Sequence, residues 1–137
     1  MSEILEKINE YGVLTYGQPV KLEEIIRAER ELGLTFADEY CQYVAEYGAI
    51  RICGLALTGV TGLSVNDVVE ITKEERKYNK NIPSNMYVVE EFGVDSIVIL
   101  QDEKGYIYIC SPNHRISKIF DSLAAYVEQA AKEYEED

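Results

Sequence analysis

Apolar residues recur along this chain at helical spacing first and at strand spacing later. Ile4, Leu5, Ile8 and Tyr11 follow a 3.6-residue period between Ser2 and Gly12, which predicts a short helix capped by the serine and closed by the glycine. After a turn-rich GQP at 17–19, Leu22, Ile25, Ile26 and Leu32 predict a second helix ending at Gly33, a residue suited to the left-handed conformation at a helix end. Glu29 breaks that pattern. It lies four residues after Ile25 and three before Leu32, so the period sets a carboxylate on the core-facing stripe. Tyr40, Tyr43, Val44 and Tyr47 predict a third helix, with Asp38 and Glu39 in its first turn and Gly48 at its end.

From residue 50 the character changes. IRICGLAL (50–57) is rich in β-formers and interrupted at Gly54, and TGVTG after it reads as loop. Val65, Val68 and Val69, with a cap signal at Ser64 or Asn66, predict a fourth helix whose polar, basic tail reaches Lys80. Strands are predicted at 86–92, 96–101 and 106–110, the last two joined by a DEKG turn, and again at 116–120. Asp121 or Ser122 then caps a final helix with Leu123, Val127, Ala130, Ala131 and Tyr134 in one stripe. No βαβ alternation occurs. The order predicts an α+β fold, one domain over 1–137, with an antiparallel-rich mixed sheet packed against the N-terminal helices and the C-terminal helix.

Charge changes this picture more than length does. At 137 residues the chain can bury a single core, but 25 acids against 13 bases leave it at −12. Residues 1–50 hold ten acids and four bases, 51–120 nine and eight, and 121–137 six and one. Both ends are therefore acidic, which argues against direct binding of nucleic acid or an anionic membrane and suits a basic partner. No apolar run approaches a membrane span, and the start MSEILEKINEYG has neither a basic region nor an apolar core of a leader, so a cytoplasmic protein is expected.

Catalytic and metal-binding sets are hard to assemble. Cys41, Cys53 and Cys110 are far apart and odd in number, which suits reduced, buried thiols. His114 follows Cys110 by four, but a strand end with Pro112 between them does not hold the pair in helical register for one ion. GVTG (59–62) lacks the Lys-Ser/Thr of a phosphate loop. Glu90, Glu91 and Asp95 could pair with Asp102 as acids, but adjacent strand residues point to opposite faces and the sequence alone locates no general acid/base pair. No cofactor is expected. Glu29 is read as structural: a carboxylate on an apolar stripe needs donors, and the start of the third helix offers free backbone N–H groups.

EEIIRAERELGLTFADEYCQYVAEYGAIRICGLALTG resembles the core signature of the SUKH superfamily, which includes yeast cell-wall regulators of the Smi/Knr type and many bacterial immunity proteins. The matching positions are Ile25 with Glu29, Leu32–Gly33, Tyr40, Tyr47–Gly48 and Gly54, and the later VNDVVEITKEER, FGVDSIVILQDEKGYIYI and SLAAYVEQAAK segments are similar in order and spacing. Ala37 stands where many members have proline. The resemblance implies a non-enzymatic protein that binds and neutralises a cognate toxin, often a nuclease or deaminase. The alternatives it leaves are an intracellular interaction or regulatory module of the yeast-regulator kind and an enzyme or small-ligand carrier.

For a basic partner the terminal acids are the first candidates: Glu46, Glu133, Glu135, Glu136 and Asp137. Glu90, Glu91 and Asp95 beside the sheet would form a second patch, and half-exposed Tyr43 and Tyr87 would act as aromatic anchors. Glu29, Gly33, Tyr40, Gly48 and Gly54 are read as structural. Whether the chain is a monomer or a homodimer stays open at this point.

Overall fold

Each helix forms where the sequence combines a periodic apolar stripe with a stop. The computed structural model, which describes residues 2–62, 66–92, 97–111, 113 and 115–136, has α1 at Glu3–Tyr11, α2 at Leu22–Leu32 and α3 at Asp38–Tyr47. The Ser2 side chain accepts from the Leu5 N–H at 3.4 Å and caps α1. α2 ends at Gly33, whose φ of 70° and ψ of 35° are the left-handed cap predicted for it. Its buried stripe is Ile25, Ala28 and Leu32, while Leu22 and Ile26 face solvent. The buried face is thus rotated from the predicted one, with Ala28 in place of Leu22 and Ile26.

The β region departs from the prediction in two places. A short β1, Thr15–Tyr16, pairs with β2, Ile50–Ile52, and β2 pairs with β3, Leu55–Leu57. What reads as one interrupted strand is a hairpin, because Cys53 (φ 50°) and Gly54 (φ 80°) are successive left-handed residues and reverse the chain. β4 (Met86–Glu91), β5 (Val98–Asp102), β6 (Ile107–Cys110) and β7 (Ile116–Phe120) follow as the predicted meander, in that spatial order. The α+β class therefore holds, with two sheets that are antiparallel throughout the described strands. α4 (Val68–Tyr78) is capped by Asp67, which accepts from Glu70 N–H at 3.2 Å and from Thr61 N–H at 3.0 Å. Ser64 and Val65, named for this helix start, lie outside the described residues. α5 runs Leu123–Glu136.

The main core lies between α1, α2, α3, α5, the start of α4 with Val68 and Val69, and the inner faces of both sheets, and a smaller one beneath Ile71 of α4 gathers Ile82, Met86, Val88, Val98, Leu100 and Cys110. At the centre of the larger core Phe36, Tyr40 and Tyr87 form a triangle with ring centroids 4.8–5.0 Å apart. Ala37 has a proline-compatible φ of −61°, but its N–H donates to the Tyr87 hydroxyl at 3.0 Å. Proline has no N–H to give, which supplies a physical reason for alanine at this position. Of the cysteines, Cys110 is buried as expected, whereas Cys41 and Cys53 are half-buried; none is disulfide-bonded.

Candidate functional site

Tyr43 and Tyr87 are not half-exposed anchors: both are 0% exposed. The Tyr43 hydroxyl donates to Thr58 O at 2.7 Å and accepts from Ile50 N–H at 3.1 Å, tying α3 to both strands of the hairpin. Tyr87 donates to Gln101 Oε1 at 2.8 Å. Tyr40 meets Thr58 Oγ1 at 2.9 Å; since that hydroxyl donates to Val88 O at 2.8 Å, Tyr40 is the donor. Burial pushes all three phenols well above their usual range, so they stay neutral. The tyrosines of α3 and β4 belong to the scaffold.

The second predicted acidic patch does not assemble. In β4 the register slips between Val88, opposite Leu100, and Glu90, opposite Ile99, so Val89 is an extra residue. This bulge turns Glu90 to the helix side of the sheet, where it accepts from Tyr126 of α5 and from Ala56 N–H at 3.0 Å. Glu90 is 4% exposed and unavailable to a partner. Glu91 is exposed on the other face, beside Glu75 of α4, and Asp95 lies outside the described residues.

Glu90 gives the fold an expected dependence on pH. Burial pushes its carboxyl above the usual range, only partly offset by the Tyr126 and Ala56 donors, and Glu39 is displaced the same way, again by burial first. A carboxyl whose folded pKa exceeds its unfolded value contributes stability below the unfolded pKa that is lost as pH rises through the folded one. The melting temperature is therefore expected to rise as pH is lowered from about 7.5 toward about 5, the upper edge of the ordinary carboxylate range. Relief of the −12 self-repulsion acts in the same direction, so the decisive comparison is Glu90→Gln, which should flatten the slope. Identical slopes in the two proteins would show that Glu90 does not titrate in this way.

Two carboxylates that hold the scaffold sit in the first half of the chain. Glu29 is half-buried and accepts from Phe36 N–H at 2.8 Å, in the turn just before α3, close to the role read for it. Glu39 has a role that periodicity does not suggest. It accepts from Leu123 N–H at 2.7 Å, Ala124 N–H at 3.2 Å and Gln101 Nε2 at 2.8 Å, so it joins α3 to the start of α5 and to the sheet. Ser122 caps the same helix locally through Ala125 N–H at 3.0 Å, while Asp121 pairs with Lys118.

The other terminal acids converge on one layer. α1 lies between α3 and α5: Asn9 Oδ1 accepts from Tyr47 of α3 at 3.5 Å, and Lys7 reaches Glu128 of α5 at 3.3 Å. Together these three helices carry ten acids and two lysines. Glu3, Glu6, Glu10, Asp38, Glu46 and Glu133 are exposed on it; Lys7 is largely covered and already bonded to Glu128 and Glu10. Glu46 and Glu133 are thus brought to one surface. Glu135 and Glu136 fall in the last turn of α5, and Asp137 lies outside the described residues.

Cys110 is buried with its sulfur accepting from Asn79 Nδ2 at 3.1 Å, and burial raises its thiol above the ordinary range. His114 lies outside the described residues, and among those described no three His, Cys, Asp or Glu side chains are grouped to hold a metal. No helix among them is long and apolar enough to cross a membrane. A protein-family model described as SUKH_5, SMI1-KNR4 cell-wall, matches residues 1–132. A search of curated proteins finds no match.

Proposed function

The chain belongs to the SMI1-KNR4 family, and from that premise we propose that it is a non-enzymatic cytoplasmic immunity protein that binds a cognate toxin and neutralises it by covering its basic surface. The observation that carries this reading is the acidic layer of α1, α3 and α5, where Glu3, Glu6, Glu10, Asp38, Glu46 and Glu133 are exposed against one exposed lysine, Lys132. A toxin acting on nucleic acid, such as a nuclease or deaminase, needs a positively charged cleft to hold its substrate. An acidic helical surface competes for that cleft and steers association from a distance, within a Debye length of about 8–10 Å at ordinary salt.

A second reading, an interaction module in cell-wall regulation, is favoured by the family's own description. Purification from the native cell in low salt, with mass spectrometry of what stays bound, separates the two. A basic toxin encoded beside this chain supports the first, and cell-wall enzymes or their regulators support the second. With the toxin in hand, reversing Glu6, Glu46 and Glu133 to lysine should lower the association rate at low salt by about 10- to 100-fold and leave melting nearly unchanged. An association rate indifferent to both salt and reversal would remove the electrostatic basis of the proposal.

A further inference from the structure

Of the strand edges among the described residues, all but one are taken or guarded. The ends of β3 and β4 face each other, with Thr58 N–H donating to Val89 O at 2.9 Å, and Val88 N–H of β4 donates to Thr72 Oγ1 at 3.0 Å. β7 carries Lys118 and a register shift that leaves Ile119 unpaired, two devices that discourage pairing with another chain. β1 is the edge of its sheet and has no charge, proline or bulge.

Bonds on the paired side of β1 fix what its open side offers. Ile50, opposite Tyr16, gives its N–H to the Tyr43 hydroxyl, and the neighbouring ladder bond runs from Gly17 N–H to Ala49 O at 2.8 Å. Tyr16 and Ile50 are therefore a non-hydrogen-bonded pair, and the Tyr16 N–H and C=O point away from β2. Tyr16 is 69% exposed and Leu14, two residues before it on the strand, 81%. Charge selects what can meet this edge. No charged residue occurs from Tyr11 to Val20 in a chain of net −12, and the groove of about 690 Å³ beside β1 has Lys21 and Arg51 against a single acid, Glu24. A basic partner is not drawn here. A second copy of the chain, repelled wherever its acids face the acidic layer, can approach along this edge.

We infer that two copies of this chain pair antiparallel through β1 about a two-fold axis at Tyr16, joining two three-stranded sheets into one of six strands. At that register the two Tyr16 residues exchange two N–H···O bonds and their rings become a cross-strand aromatic pair. Thr15 then faces Gly17 of the second copy, and Leu14 lies opposite Gln18 at the rim of the groove. No two charges oppose each other in the paired run. This pairing does not depend on the toxin reading.

The test is sedimentation and amide NMR of the full chain from about 0.01 to 2 mM, in about 0.05 and 0.5 M salt. Two strand residues bury little area, so a weak dimer with a dissociation constant of about 0.1–1 mM is expected. High salt should tighten it about three- to ten-fold by screening the −12 of each copy, the reverse of its effect on a basic toxin. Between the lowest and highest concentrations the Tyr16 amide should exchange with solvent about two- to seven-fold more slowly, in proportion to the fraction paired. Tyr16→Lys sets two cations together at the axis and should abolish the dimer, whereas Tyr78→Lys, at another exposed tyrosine, should not. A chain still monomeric at about 2 mM, assembly beyond a dimer, a dimer that survives Tyr16→Lys, or an unprotected Tyr16 amide would overturn the pairing. Protection of Tyr16 by a toxin and not by concentration would overturn it too, and give the edge to the toxin. Loss of the dimer with toxin binding still sensitive to reversal of Glu6, Glu46 and Glu133 would leave the proposed function standing alone.

Discussion

Gly59→Ala is expected to yield no folded protein, whereas Gly62→Ala, three residues on, should fold with a modest loss. A Cβ at Gly59 would stand 1.4 Å from the carbonyl oxygen of Gly48 and 2.4 Å from its carbon. Those atoms are backbone, held in turn because Gly48 has φ 74° and ψ −70° and its own Cβ position is 2.4 Å from Gln18 O. No side chain can swing aside to relieve the clash, so the cost should exceed about 4 kcal/mol, a large part of the stability of a domain this size. Gly62 also has a positive φ, 69°, but nothing within 4 Å, so alanine there meets only the left-handed penalty of about 1–2 kcal/mol. Circular dichroism and thermal melting of the two variants decide it. Melting of Gly59→Ala within a few degrees of Gly62→Ala would show that the 48–59 crossing is looser than described. The GVTG segment needs its first glycine for this backbone crossing.

Tyr43→Phe should be the next most damaging change, although it removes one atom. The lost hydroxyl leaves Thr58 O without its 2.7 Å donor and Ile50 N–H without its 3.1 Å acceptor, both fully buried. Unpaired buried groups cost about 1–3 kcal/mol each, so a loss of about 2–6 kcal/mol and a drop in melting temperature of about 10 °C or more are expected. Tyr16→Phe, on an exposed ring, is the control and should melt like the parent. A Tyr43→Phe loss below about 1 kcal/mol would mean that the hydroxyl is replaced by water. The result also bears on function, since a tyrosine committed to the scaffold cannot anchor a partner.

These residues show how far the sequence can be read. The helices were legible because a 3.6-residue period and its flanking serine or glycine are local signals: Ser2, Gly33 and Gly48 stand at the ends predicted for them. Tyr40 and Tyr43 are legible as a stripe but not as polar struts, since their hydroxyls bond Ile50 and Thr58, 7–18 positions away along the chain. Glu90 was misplaced because alternation assumes an unbroken pleat, and the extra residue at Val89 carries no composition signal. Glu39 was read only as a first-turn acid, because its partners Leu123 and Ala124 lie 84 and 85 residues away. Tyr134 was counted into a core stripe that continues past the end of the helix meant to cover it.

By itself, then, the sequence determined the α+β order of elements, the family and the acidity of the two chain ends, because each is written in neighbouring residues or in their count. Only the tertiary structure decided which acids share a surface and which are consumed inside. Glu6, Glu46 and Glu133 fall in one helical layer because α1 packs between α3 and α5, while Glu39 and Glu90 vanish into caps and struts because buried N–H groups must be satisfied by whatever acceptor the packing brings near.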